Sequence, residues 1–287
     1  MHLNIACAQT APRKAEVARN LDEVVEIILQ CESELVDLVV FPEASLSGYF
    51  LEGGVFEASL TGEQLTKELA SRLSGKLKRP IDAVIGFYER EEGSLYNSAA
   101  YFELSAEGAF LKQTYRKFFL PTYGVFDEER FVSRGLDLGI VETRFGKVGL
   151  LICEDIWHSI LPLLLAVHGC QLIVVPSASP GRGFSGETVA NLARYQRLLT
   201  AVSEEHGVFC ANCQLCGFEG GKGFVGGSMI IDPMGKRMAE SPVAEPHLLI
   251  TDIDLSMIEL ARAQSPLISD LRSTWSRMKE LVEESPN

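Results

Sequence analysis

Apolar runs of strand length alternate with segments of helical period along most of the chain. The run LNIACAQ is followed by a stretch in which Leu21, Val24, Val25, Ile28 and Leu29 fall on one helical face, and then by VDLVVF. Strand, helix and strand in that order predict a right-handed crossover and a sheet covered by helices. The rhythm continues with a helix over residues 64–78 and the strands IDAVIGFYE and SAAYFEL, which the turn-like EEGSLYN should join as an antiparallel hairpin. In the second half KVGLLI precedes a helix over 158–168, QLIVVPSA precedes a long helix over 186–206, and VFCANCQL completes that repeat. The strands SMIIDP and HLLITDIDL follow, joined by a turn-rich connection, and residues 256–287 read as a C-terminal helical segment and polar tail. No Pro/Gly/Ser-rich linker, internal repeat or low-complexity tract divides the chain, so a single α/β domain over 1–287 is expected.

Composition narrows the partners. At 287 residues and 46% hydrophobic content the chain can bury a large core, and 23% charged residues argues against wholesale disorder. A net charge of −13 disfavours nucleic acid and anionic membrane, which need clustered Lys and Arg, and leaves a small molecule or another protein. The opening MHLNIACAQTAPRKAEV does not read as a secretory signal, and no apolar stretch reaches the roughly 18 residues of a membrane span. A soluble, cytoplasmic chain is therefore expected. Its 7 cysteines fit reduced thiols better than a disulfide framework.

Two residues stand at the carboxyl ends of buried strands, where ligands bind in open α/β sheets: Glu43 after VDLVVF and Cys153 after KVGLLI. A cysteine at the start of a helix is expected to feel its N–H groups and dipole, which favour thiolate. An isolated Cys also fits simple packing, and Glu154 and Asp155 fit helix-start residues. Glu43, after Pro42, fits a helix cap as well as a base. Lys117, flanked by Phe118, Phe119 and Leu120, fits an ammonium held in an apolar setting or a snorkelling surface lysine.

Taken together, FPEASLSGY, YRKFFLPTYGVFDEERF and LLICEDIW resemble the three signature segments of the nitrilase superfamily of carbon–nitrogen hydrolases, and the likeness runs from NIACAQ to GGSMIIDPMGK and DIDL. The resemblance implies a four-layer αββα sandwich, no cofactor, and a small-molecule amide as substrate. It makes Cys153 the nucleophile, Glu43 the general base and Lys117 the electrostatic stabiliser. Glu128, with Glu129 as the adjacent alternative, would be a second, positioning glutamate. The Lys117 ammonium and the backbone N–H of Glu154 would form the oxyanion hole. LPTYGVFDEER with ICEDIW is closer to the glutamine-hydrolysing domain of glutamine-dependent NAD synthetases, whereas Trp157 stands where many amidases carry arginine. Because the chain ends soon after DIDL, a freestanding amidase is expected. Tyr123, Trp157, Phe184, Ser179 and Arg182 are candidates for the pocket wall, or for packing and turns.

Other readings compete. Cys210, Cys213 and Cys216 invite a metal site, but no fourth ligand lies nearby and VFCANCQL reads as a buried strand, so core or pocket-lining thiols are expected and no metal. No G-x-S-x-G elbow supports a serine hydrolase, and the fold without catalysis, as a binding protein, is the remaining rival. Enzymes resembling this one usually associate, so a homodimer or larger homo-oligomer is expected. In residues 256–280, Ile258, Leu267, Ile268, Leu271 and Trp275 suit either a two-fold interface or a cover for their own core.

Overall fold

A computed structural model of the chain describes residues 1–185 and 188–285. The opening crossover is β1 (His2–Gln9), α1 (Val17–Ser33) and β2 (Leu38–Val40), with β1 and β2 parallel and Ile5 opposite Leu38. Two helices follow, α2 (Val55–Ala58) and α3 (Gly62–Leu73), the latter started by a capping box in which Thr61 and Gln64 satisfy each other's backbone N–H groups. It ends short of the expected residue 78 because Gly75 takes φ +68°, outside helical space, although Leu77 is still buried.

Next come β3 (Ile81–Glu91), β4 (Ser94–Ser105) and β5 (Gly108–Arg116), an antiparallel meander. The first connection is only Glu92–Gly93, both at positive φ (46° and 82°), so most of EEGSLYN is strand rather than turn. The half-polar β5 (GAFLKQTYR) lacks the apolar run that marks its neighbours and was not foreseen.

The second half runs through the hairpin β6 (Gly139–Thr143) and β7 (Gly146–Leu150), then α4 (Ile160–Val167) and β8 (Leu172–Ser177). Two short paired strands, β9 (Phe184–Ser185) and β10 (Thr188–Val189), precede α5 (Ala190–His206), which therefore begins later than residue 186. There follow β11 (Phe209–Gln214), the hairpin β12 (Cys216–Glu219) and β13 (Lys222–Val225), then β14 (Met229–Ile231), β15 (Arg237–Glu240) and β16 (His247–Asp254). The last elements are α6 (Met257–Gln264) and α7 (Leu267–Glu283).

Apart from the two-stranded pairs β9-β10 and β12-β13, the described strands form two six-stranded sheets, ordered β16-β1-β2-β3-β4-β5 and β15-β14-β11-β8-β7-β6. Strand alternation sorts the side chains. Leu3, Ile5 and Cys7 of β1 face a core shared with Val148, Leu150 and Val174 of the other sheet, while Ala6 and Ala8 face Leu21, Val24 and Ile28 of α1. Leu161, Leu165 and Leu199 of α4 and α5 cover the second sheet, giving the helix–sheet–sheet–helix sandwich. Each such aliphatic side chain withdrawn from water contributes on the order of 1.5–3 kcal/mol.

Cys210 and Cys213 are buried in β11 and Cys216 in β12, and no group of three or more potential ligands suits a metal ion among the described residues. Ile258 and Ile268 are buried within their own chain, Leu267 is exposed, and Leu271 and Trp275 line a groove of about 650 Å³ against α4. Among the described residues no helix is long and apolar enough to cross a membrane.

Candidate active site

β2 and β7 stop at Val40 and Leu150, and from each the chain runs on to a chemical group: Glu43 from the first, Cys153 from the second. Glu43 can lie where it does because β3 passes directly against it at Gly86, where a Cβ would stand 2.1 Å from the Pro42 carbonyl oxygen. Ser45 Oγ fixes the same contact by donating to the Gly86 carbonyl at 2.9 Å. Lys117 directly follows β5; its N–H donates to the Asn97 carbonyl at 2.8 Å, and its own carbonyl accepts from Gly135 at 2.8 Å.

These placements converge on one buried cluster. Glu43 Oε1 accepts from Lys117 Nζ at 2.7 Å and from Asn97 Nδ2 at 2.8 Å, and its Oε2 accepts from the Ala178 N–H at 2.7 Å. Lys117 Nζ also donates to Glu128 Oε1 at 2.8 Å, an oxygen that takes the Tyr49 hydroxyl as well. Of the two adjacent glutamates, Glu128 is therefore the buried partner, while Glu129 lies at the surface with Arg134. Glu128 Oε2 is buried with no hydrogen-bond partner among the described residues.

Lys117 is buried, but what surrounds its ammonium is carboxylate rather than the apolar setting expected from its neighbours. Burial pulls its pKa down, and Glu128 and Glu43 outweigh that, holding the ammonium well above its ordinary value. Burial likewise pushes Glu128 up to about 7, against the opposing pull of Lys117.

Cys153 does not open an α-helix. It begins a five-residue 3-10 turn, Cys153–Trp157, and its own φ of +48° lies in the left-handed region that a side chain strains to occupy. Asp155 holds that turn: its carboxylate accepts from the Ile152 N–H (3.0 Å), the Phe119 N–H (2.8 Å) and the Tyr115 hydroxyl (2.8 Å). Burial pushes Asp155 up to about 6 despite these donors.

The expected thiolate is not favoured either. Burial, and next the negative charge of Glu43, push the Cys153 thiol well above its ordinary value; Lys117, the Tyr195 hydroxyl and the Ala178 N–H pull the other way and lose. A short turn supplies little dipole, and desolvation dominates. The sulfur rests as a thiol in the field of a carboxylate. Its Sγ lies 3.1 Å from Tyr195 Oη.

Glu154, which follows Cys153 in the same turn, lines a cavity of about 590 Å³ together with Tyr123, Trp157, His158, Arg182 and Arg194, among others, while Tyr49 and Glu128 line a separate cavity of about 250 Å³. Three of the proposed wall residues, Tyr123, Trp157 and Arg182, thus meet. Tyr123 Oη donates to Glu154 Oε2 at 2.8 Å, and the Arg194 guanidinium lies 4.1 Å from the Trp157 ring centre. Ser179 is not part of that wall; its buried hydroxyl accepts from Asn191 Nδ2 at 2.7 Å and braces the loop instead. The side chain of Phe184 lies outside what is described.

Sequence reasoning missed Tyr49, Asn97 and Tyr195, and took Asp155 only as a helix-start residue. An asparagine inside the apolar strand β4 was the one legible signal, since a buried amide needs partners.

The Carbon-nitrogen hydrolase family model matches residues 4–263. A glutamine-dependent NAD(+) synthetase of Thermotoga maritima is 32% identical over 255 residues, 88% of this chain but 42% of that protein. The chain thus spans less than half the length of that relative. Among solved structures, a carbon-nitrogen hydrolase of Helicobacter pylori superposes with a TM-score of 0.85 over 100% of both chains at 21% identity, which speaks to the fold. An amidase of Nesterenkonia gives a TM-score of 0.71 over 95% of this chain and 97% of its own, at 25% identity. With a family match that takes in almost all of both sheets, the chain belongs to the carbon–nitrogen hydrolase family, the nitrilase superfamily.

Proposed function

We propose that this chain hydrolyses the side-chain amide of glutamine, or of a closely similar amino-acid amide, through a thioester on Cys153. The observation that carries the reading is the buried Glu43–Lys117–Glu128 cluster, whose Glu43 and Lys117 charges act on the Cys153 thiol, with a cavity lined by Glu154 of the Cys153 turn and by arginines. The relatives named as glutamine-dependent support the choice of amide.

Each step draws on a placed group. Glu43 takes the thiol proton as the sulfur attacks the amide carbon, and the C–S bond forms as the C=O π pair moves to oxygen. Lys117 has three N–H donors and spends two on carboxylates, so the third meets the developing oxyanion together with the Glu154 N–H. Collapse breaks the C–N bond, and the proton held by Glu43 leaves with ammonia. A water then gives Glu43 its proton and adds to the thioester, the C–S bond breaks, the carboxylic acid departs, and the proton returns to sulfur. Glu128 keeps Lys117 in place throughout. The raised thiol pKa suits this order, because the proton moves only when an electrophile is present to take the electron pair.

In the cavity, Glu154 would receive the substrate ammonium and Arg182 its carboxylate. Ammonia release from glutamine, asparagine, ureido acids, simple amides and nitriles tests the assignment. Glutamine is expected to lead, with glutamate formed in equal amount and no turnover by Cys153→Ala or Glu43→Gln. Preferential turnover of a nitrile or ureido acid would replace the amide reading with nitrilase or N-carbamoyl-amine hydrolase chemistry on the same residues; no turnover of any, with Cys153 no more reactive than the other thiols, leaves a binding protein.

A further inference from the structure

Tyr195 stands on α5, at the inner side of the helix that covers the second sheet, and only 1% of it reaches solvent. Its Oη is 3.1 Å from Cys153 Sγ. A phenylalanine would fill the same space. The hydroxyl is a buried polar group whose partner is the sulfur itself, and burying it unpaired would be unfavourable. The ring is held edge-on by Trp157, with centres 5.4 Å apart and planes at 82°, so the hydroxyl has a fixed aim.

We infer that Tyr195 is a further catalytic residue, whose O–H donates to the Cys153 sulfur and stabilises the anion formed when Glu43 takes the thiol proton and formed again when the thioester breaks. Its catalytic meaning rests on the proposed hydrolysis. The direction of the bond follows from chemistry: burial, and then the nearby sulfur, push the tyrosine well above its ordinary pKa, so it keeps its proton through the cycle. Against a neutral thiol the O–H meets a weak acceptor; against a thiolate the bond becomes charge-assisted and strengthens. The interaction is thus strongest where charge resides on sulfur, which is what a group must do to lower a barrier. Without it, the sulfur anion would form in a buried place where desolvation already works against it.

The test is Tyr195→Phe in the full chain, with iodoacetamide alkylation of Cys153 followed by mass spectrometry from neutral to alkaline pH. The alkylation midpoint is expected to rise by about one unit, so that labelling at neutral pH slows about tenfold, with the melting temperature little changed. Turnover of the amide should fall by a similar factor with KM nearly unaltered, since the cavity wall is untouched. A complementary measurement installs 3-fluorotyrosine at position 195 alone, leaving Tyr49 and the other tyrosines unchanged; its more acidic hydroxyl is a stronger donor, and the Cys153 midpoint should then move down. A ring that only packs would move neither midpoint, and wild-type alkylation in both samples overturns the inference. If Tyr195→Phe fails to fold, the fluorotyrosine shift alone decides. Absence of amide turnover by the wild type would count against the hydrolase reading, whereas the alkylation midpoints judge Tyr195 separately.

Discussion

Lys117 Nζ and Glu43 Oε1 lie 2.7 Å apart with neither side chain reaching solvent, and the nearest further charge, Glu128, holds the same nitrogen at 2.8 Å. Removing the ammonium leaves two carboxylates buried side by side. Lys117→Ala is therefore expected to lower turnover by about a hundredfold or more, as loss of an oxyanion donor does. It should also cost about 3–5 kcal/mol of stability, the range for breaking a buried ion pair by deleting one partner. Ammonia release and urea unfolding read the two effects; a variant as stable as the wild type would mean that the carboxylates are discharged in the native protein.

On the proposed reading, Glu128 should set an acid limit on activity. Burial raises its pKa to about 7, and its unpartnered Oε2 is where a proton would sit. Because the raised value places protonation within reach of neutral pH, activity should be full above about 7 and fall as pH drops through it, since a neutral Glu128 no longer anchors Lys117 by charge. Glu128→Gln should show a lower plateau lacking that limb. A pH profile of kcat/KM for both proteins checks this, and an unchanged limb in the variant would assign the proton to another group.

Asp155 should matter more than its place two residues after Cys153 suggests. Its Oδ2 accepts from both the Ile152 N–H and the Tyr115 hydroxyl, so Asp155→Asn sets an amide N–H against a backbone N–H in a dry site. A loss of about 2–4 kcal/mol follows from forfeited bonds to a charged acceptor, and the strained Cys153 backbone, deprived of its brace, should relax toward ordinary φ. The denaturant midpoint measures the first effect and loss of Cys153-dependent turnover the second; stability within error of the wild type would show that the turn is held by other means.

The signature segments made the sandwich and the Glu43, Lys117, Glu128 and Cys153 positions legible through the family resemblance; Glu43, Lys117 and Cys153 follow strand ends, whereas Glu128 opens the 3-10 turn Glu128–Arg130 and only its segment marks it. Asn97 and Tyr195 were illegible because nothing local marks them: each belongs to an element whose pattern is set by packing, and only tertiary contact brings its polar atom to the cluster. Ser179 shows the converse. Its segment reads as a loop near the site, yet whether its hydroxyl turns to a cavity or to Asn191 depends on a partner twelve residues away on α5. The thiol state was misjudged for a related reason, since sequence suggests a helix start but not how dry it is.

On the proposed reading, substrate recognition divides by charge, and so can be tested by charge. Glu154 borders the cavity with its side chain 14% exposed and accepts the Tyr123 hydroxyl at 2.8 Å, and Arg182 lines the same cavity. If Glu154 pairs with the ammonium of an amino-acid amide, Glu154→Gln should raise KM for glutamine about tenfold to a hundredfold, equivalent to the roughly 1.5–3 kcal/mol of a hydrogen bond to a charged group. The monoamide of glutaric acid, which keeps the carboxylate and lacks the amino group, should be a poor substrate for the wild type and no poorer for Glu154→Gln. Arg182→Ala should weaken both, because both carry the carboxylate. Equal losses on the two substrates in Glu154→Gln would mean that Glu154 supports the Cys153 turn rather than reading the substrate, and the amino-acid assignment would lose its anchor.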